Sequence, residues 1–149
     1  LFMCSIIITL AFYFQKVYVN IDIILVSLPI FLMKAAILLA NNIRDLENDK
    51  ESGRRTYAIL VGRDNAIKTL AASFVLVYLL NIIFSVTKYG SISYLLVLVT
   101  VPLAMKIIKG FKANNNNKTM APYMLLTAKL TIFIGFIMSL ANIINIILK

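Results

Sequence analysis

The chain has 149 residues, is 61% hydrophobic, and sets 15 Lys and Arg against 6 Asp and Glu, for a net charge of +9. Its mean hydropathy of +0.91 is too high for a water-soluble domain, where about half the residues are apolar. The cations flank apolar segments and form no basic stripe with interleaved aromatics, which points to a lipid bilayer and away from nucleic acid.

Five apolar segments follow one another. The first, residues 1–14, is short for a span, as a truncated helix would be. It opens Leu1-Phe2-Met3 with no charged region ahead, which argues against a signal peptide and for a portion of a longer protein. Cys4 lies here and is the only cysteine, so no intrachain disulfide can form and a packed thiol is expected. After a connector at 15–20, residues 21–40 form the second segment. A polar stretch occupies 41–64. The third, fourth and fifth segments are 66–86, 92–108 and 122–148, joined by connectors at 87–91 and 110–121.

Each full segment is near the roughly 20 residues that cross a bilayer core as a helix. Many of their residues are Ile or Val, β-formers in water. In lipid every backbone polar group must be satisfied within the segment, which favours helix. The expectation is an all-α membrane protein, a multi-helix transmembrane bundle of about five spans in one domain over 1–149. Pro102 is expected to kink the fourth span. Asn114 to Asn117 form a low-complexity run that reads as a solvated loop tip.

Lys and Arg set the orientation. Arg44, Lys50, Arg54, Arg55, Arg63, Lys109, Lys112 and Lys118 fall on one side, and Lys16, Lys88 and Lys149 on the other. The positive-inside rule places the stretch at 41–64 in the cytoplasm and makes the chain a multi-pass protein of the cell membrane.

Five of the six acids lie in that stretch, namely Asp45, Glu47, Asp49, Glu51 and Asp64; the sixth is Asp22. Charge is costly beside a membrane and marks working parts. Asn41, Asp45 and Asp49 stand four residues apart and share one face of a helix continuing from the second segment. Two readings follow. In one, a solvated acidic helix is balanced by Arg44, Lys50, Arg54, Arg55 and Arg63. In the other, Asp45 and Asp49 hold Mg²⁺, which is typically bound by one or two carboxylates plus substrate phosphates. Arg44, Arg54 and Arg55 could then grip phosphate oxygens, with Gly53 ending the helix and turning the arginines back. The chain has no histidine, so its chemistry rests on carboxylates, cations, amides and a hard metal ion.

The string Asn41-Asn42-x-Arg44-Asp45-x-x-x-Asp49-x-x-x-Gly53-Arg54-Arg55-Thr56, followed by Gly62, closely resembles the second aspartate-rich motif of the UbiA superfamily of membrane prenyltransferases. The Asn-Asn-x-Arg-Asp form looks most like the 1,4-dihydroxy-2-naphthoate branch of menaquinone synthesis. The 4-hydroxybenzoate branch usually has Asp where Asn41 stands and a Tyr-Ala pair nearby. The resemblance implies nine transmembrane helices, with this motif between the sixth and seventh, so the present segments would match helices five to nine. It implies transfer of a polyprenyl group from an isoprenoid diphosphate to an aromatic acceptor, with demethylmenaquinone as product. It also implies Mg²⁺ on Asp45 and Asp49 as catalytic and metal-binding residues, and Asn41, Asn42, Arg44, Arg54 and Arg55 on the diphosphate. The first motif, of the form Asn-Asp-x-x-Asp-x-x-x-Asp, does not occur in these residues. Alone they are therefore expected to be inactive.

Lys34 and Lys129 interrupt apolar segments, each about seven residues or roughly 10 Å from the cytoplasmic end. They are either interfacial anchors that snorkel to water or cations facing a polar cavity. Asn81, Asn142 and Asn145 are expected to hydrogen-bond between helices. Tyr57, Tyr78 and Tyr94 are either interfacial or line an acceptor pocket. Two rival functions remain at this stage. One is a related transferase acting on 4-hydroxybenzoate, homogentisate or haem. The other is a non-catalytic scaffold or transporter half whose acids form a docking face.

Overall fold

The computed structural model describes residues 6, 10, 13, 14, 21–87 and 92–147. Its elements are α1 (Ile21–Arg44), α2 (Leu46–Glu51), α3 (Tyr57–Val61), α4 (Arg63–Val86), a 3-10 helix (Ile92–Thr100) that runs into α5 (Val101–Ala113), and α6 (Asn117–Ile147). Among the described residues, four helical stretches are long and apolar enough to cross a membrane: Ile24–Arg44, Arg63–Val86, Ile92–Ala113 and Asn117–Ile144. They correspond to the second to fifth apolar segments, and the protein is an all-α, multi-pass membrane protein. In the first segment Ile6, Leu10, Tyr13 and Phe14 are helical and exposed. Its other residues, Cys4 among them, lie outside the described ones.

The spans bury narrow stripes at helical spacing. In α1 these are Met33, Ala36, Ala40 and Ile43; in α4, Ile67, Leu70, Phe74, Val77, Asn81 and Phe84. α6 contributes Met120, Thr127, Leu130, Ile134, Met138 and Ala141. α1 packs on α4 and α6, and α6 closes on α5 and the 3-10 segment, so four spans surround one core. Only 28–33% of each span is buried. The outward residues, such as Val75, Leu79 and Phe136, are as apolar as the core. Lipid tails accept them without penalty, so packing and polar contacts hold the helices together.

The fourth span departs from expectation. Its first nine residues form a 3-10 helix, and Pro102 sits in the first turn of α5. There the missing proline N–H is absorbed at the junction of two helix types, so the break replaces a mid-helix kink. The 3-10 form has three residues per turn and stacks every third side chain in line. Tyr94, Val97 and Thr100 are the buried ones, a stripe that an α-helix would let drift around its axis. Polar contacts lock it: Tyr94 donates to Asn142 Oδ1 of α6 at 2.8 Å. Thr100 donates to the Val97 carbonyl at 2.7 Å, which leaves its oxygen to accept from Tyr78 of α4 at 2.9 Å.

Asn142 thus bonds between helices as expected. Asn81 does not: its amide donates to the Val77 carbonyl one turn back at 2.8 Å, and its buried Oδ1 has no partner. The side chain of Asn145 lies outside the described residues.

Candidate active site

The acidic stretch caps the α1 end of the bundle. α1 closes at Arg44, and the chain pauses for one residue before α2. The pause barely disturbs the helical path. Asp45 N–H donates to the Asn41 carbonyl at 2.9 Å, and Asp49 N–H to the Asp45 carbonyl at 2.8 Å. Asn41, Asp45 and Asp49 are therefore successive rungs one turn apart, as their spacing predicts.

Gly53, at φ 70°, ends α2 in the left-handed conformation that side chains disfavour. The reversal lets Arg54 N–H reach the Asp49 carbonyl at 2.9 Å. It also brings the Arg54 guanidinium onto Asp49 Oδ1 at 3.1 Å. Arg55 follows on the exposed surface with no partner among the described residues.

Each carboxylate holds its own arginine. Arg44 grips Asp45 through two parallel bonds, Nε to Oδ1 at 2.8 Å and Nη2 to Oδ2 at 2.5 Å. The same guanidinium reaches Asn41 Oδ1 at 2.8 Å. The Arg44 hydrogen bonds hold the Asp45 carboxyl below the usual carboxylate range, while partial burial opposes the shift and Asn117 and Arg54 assist it. Asp45 is accordingly an anion at neutral pH. Asp49 is buried at 7% exposure, and Arg54 is its solvent-facing partner.

The structure thus gathers Asn41, Arg44, Asp45, Asp49 and Arg54. It separates Asn42, which turns into a cavity between α1 and α4. Two residues join that the sequence did not mark. Asn117, assigned to a solvated tip, lies close enough to Asp45 to favour its anionic form. The asparagine run is in part the first turn of α6, and Arg63 pins it by donating to the Asn115 carbonyl at 2.9 Å and to Glu47 at 3.1 Å. Thr56 is the second: its hydroxyl is buried with no partner, a free donor inside the motif. A threonine next to paired arginines was the only available signal.

No group of three or more His, Cys, Asp or Glu gathers among the described residues. Two carboxylates one turn apart do not make an all-protein cage. They fit Mg²⁺, which keeps waters and completes its shell with phosphate oxygens. Glu47 and Glu51 lie off the Asp45–Asp49 face and are exposed. Glu47→Ala, which removes the ion pair to Arg63, is expected to cost at most about 1 kcal/mol in thermal unfolding. Glu51→Ala removes no ion pair among the described residues and should cost less, and both should spare turnover.

A family model described as the UbiA prenyltransferase family matches residues 1–140. The chain belongs to this family. It is 37% identical over 143 residues to the 1,4-dihydroxy-2-naphthoate octaprenyltransferase of Bacillus subtilis, an alignment covering 96% of this chain and 46% of that protein. It is 37% identical to UbiA prenyltransferase domain-containing protein 1 of Xenopus tropicalis, over 81% of this chain and 33% of that protein. The Drosophila melanogaster homolog of that protein is 40% identical over 74% of this chain and 30% of its own length. The chain thus spans less than half the length of these relatives. Within the family, the Asp45–Asp49 ladder and its arginines are the part of this chain suited to an anionic, metal-bound group.

Proposed function

We propose that the protein containing this chain transfers a polyprenyl group from an isoprenoid diphosphate to 1,4-dihydroxy-2-naphthoate, giving demethylmenaquinol, the reduced form of demethylmenaquinone. The observation that carries this is the 37% identity, over almost the whole chain, to a protein named for that reaction. The ladder of Asp45 and Asp49 with arginines on both sides supports it.

Asp45 and Asp49 would hold Mg²⁺ at the diphosphate. Bound there, the ion would neutralise charge that builds on the leaving group. Arg54 and Arg55 face outward and can add donors to the phosphate oxygens, and Thr56 has a hydroxyl to give. Arg44 keeps Asp45 ionised and aimed. The carbon–oxygen bond to the diphosphate breaks with its electrons on oxygen. The electron-rich ring attacks the allylic carbon, and its carboxylate leaves as carbon dioxide. No side-chain base is needed to remove a ring proton, which suits a chain without histidine.

The test is to give membranes containing the full-length protein Mg²⁺, an isoprenyl diphosphate and one acceptor at a time. Prenylated naphthoquinol from the naphthoate alone is the expected product. Product only from 4-hydroxybenzoate, homogentisate or haem would move the protein to another branch. No product from any acceptor would favour the scaffold reading.

The Lys and Arg asymmetry supports a motif on the cytoplasmic side of the cell membrane. In a variant without Cys4, a cysteine at Ser91 should react with an impermeant maleimide in intact cells, and one at Ser52 should not. The reverse pattern would invert the topology.

A further inference from the structure

We propose that the cavity between α1 and α4 receives the carboxylate of the aromatic acceptor, with Lys34 as its counter-ion and Asn42 as a second donor. This rests on the prenyl-transfer reading above and names the residues that would select its acceptor. Lys34 stands midway along the span Ile24–Arg44, ten residues or about 15 Å of helix from either end. Measured to the polar end of the apolar run at Asn41, its depth is about 10 Å. A lysine there either snorkels to water or faces a polar cavity. A charge inside an apolar span is costly, and such charges face polar cavities or partners.

Among the described residues no carboxylate pairs with Lys34. The acids nearest along the helix are Asp45 and Asp22, eleven and twelve residues away, or about 16 and 18 Å along the axis. Every ion pair among the described residues uses an arginine. Lys34 and Asn42 instead line one cavity of about 400 Å³, together with Leu38, Tyr57, Thr69 and Ser73. That volume lies in the range of small-molecule sites, roughly 300–1,000 Å³.

The hydroxyls in this wall are committed. Thr69 donates to the Asn65 carbonyl and Ser73 to the Thr69 carbonyl, both at 2.9 Å. Thr69 Oγ1 is then left to accept from Tyr57 at 3.1 Å. Lys34 and Asn42 make no hydrogen bond to a described residue. An ammonium and an amide N–H converging on one cavity call for an anion with two acceptor oxygens, and a carboxylate supplies both. Leu38 gives an apolar wall for a flat ring. Lys34 also shares a helix face with Asn41 and Asp45, seven and eleven residues on. An acceptor held there would lie beneath the diphosphate on that face, about 10 Å from Asn41.

The experiment uses the full-length protein in detergent. Binding of 1,4-dihydroxy-2-naphthoate and of 1,4-dihydroxynaphthalene, which lacks the carboxylate, is measured by calorimetry, and steady-state constants are measured beside it. The wild type should favour the acid by about tenfold or more, a gap of about 1.4 kcal/mol. Lys34→Met keeps the stem, removes the charge, and should erase the preference. Lys34→Arg should retain most of it. The KM for the isoprenoid diphosphate should stay unchanged in both. Equal loss of binding for acid and diol, or a raised diphosphate KM, would overturn the proposal. If the wild type prenylates a different aromatic acid with the same dependence on Lys34, the naphthoate reading fails and this assignment stands. A wild type that binds carboxylate-free rings as tightly as their acids overturns it.

Discussion

Asp45→Ala and Asp49→Ala in the full-length protein are each expected to abolish prenyl transfer while leaving membrane insertion intact. Removing one preorganised group that stabilises developing charge costs on the order of 10²–10³ in rate, and a carboxylate that holds the metal should cost at least that much. The two variants should differ in a second respect. Asp45 carries the bidentate Arg44, so its loss also frees an arginine at the end of α1. Asp49 is the more buried of the two and is paired with an exposed arginine, so its loss leaves less charge stranded. Turnover at limiting and at saturating Mg²⁺, with insertion checked by cysteine accessibility, separates the metal role from the structural one. Near wild-type turnover at limiting Mg²⁺ in either variant would exclude a metal role for that residue.

The second large effect is on stability. Gly110 lies buried where α5 meets α6, and a methyl group built on it would fall inside the ring of Tyr123. That ring also packs at a tilt on Phe111, with centroids 6.3 Å apart. Gly110→Ala should therefore force Tyr123 out and part the two helices. Overpacking of this kind costs about 1–3 kcal/mol, enough to lower the thermal unfolding temperature in detergent by several degrees. Tyr123→Ala alone should also destabilise, by leaving a void. The double variant should lose less than the sum of the two, because each change makes room for the other. Strict additivity would mean that Gly110 and Tyr123 do not share the contact.

The same residues show why some of this was legible in the sequence. Four spans could be read because each is a long apolar window that must satisfy its own backbone. The one-turn ladder of Asn41, Asp45 and Asp49 could be read because it depends only on helical spacing. Gly53 could be read as a stop because left-handed backbone favours glycine. What escaped depends on contacts distant in the chain. Nothing local ties Asn117 to Asp45 or Arg63 to Asn115, 72 and 52 residues apart. A run of asparagines looks like a loop until its last member proves to start α6. The 3-10 segment had no signal, since Ile92–Thr100 holds neither proline nor glycine.

That segment also changes how far its span reaches. A 3-10 helix rises about 2.0 Å per residue and an α-helix about 1.5 Å. Nine residues of the first and thirteen of the second together cover about 37 Å, where a uniform α-helix of the same residues would cover about 33 Å. The difference is a sizeable part of a hydrocarbon core about 30 Å thick. Rewinding the segment to α would draw Lys106, Lys109 and Lys112 about 4 Å towards the oil. A thicker membrane therefore favours the stretched form and a thinner one the compact form. This span carries its own length adjustment for hydrophobic mismatch, where other helices must tilt.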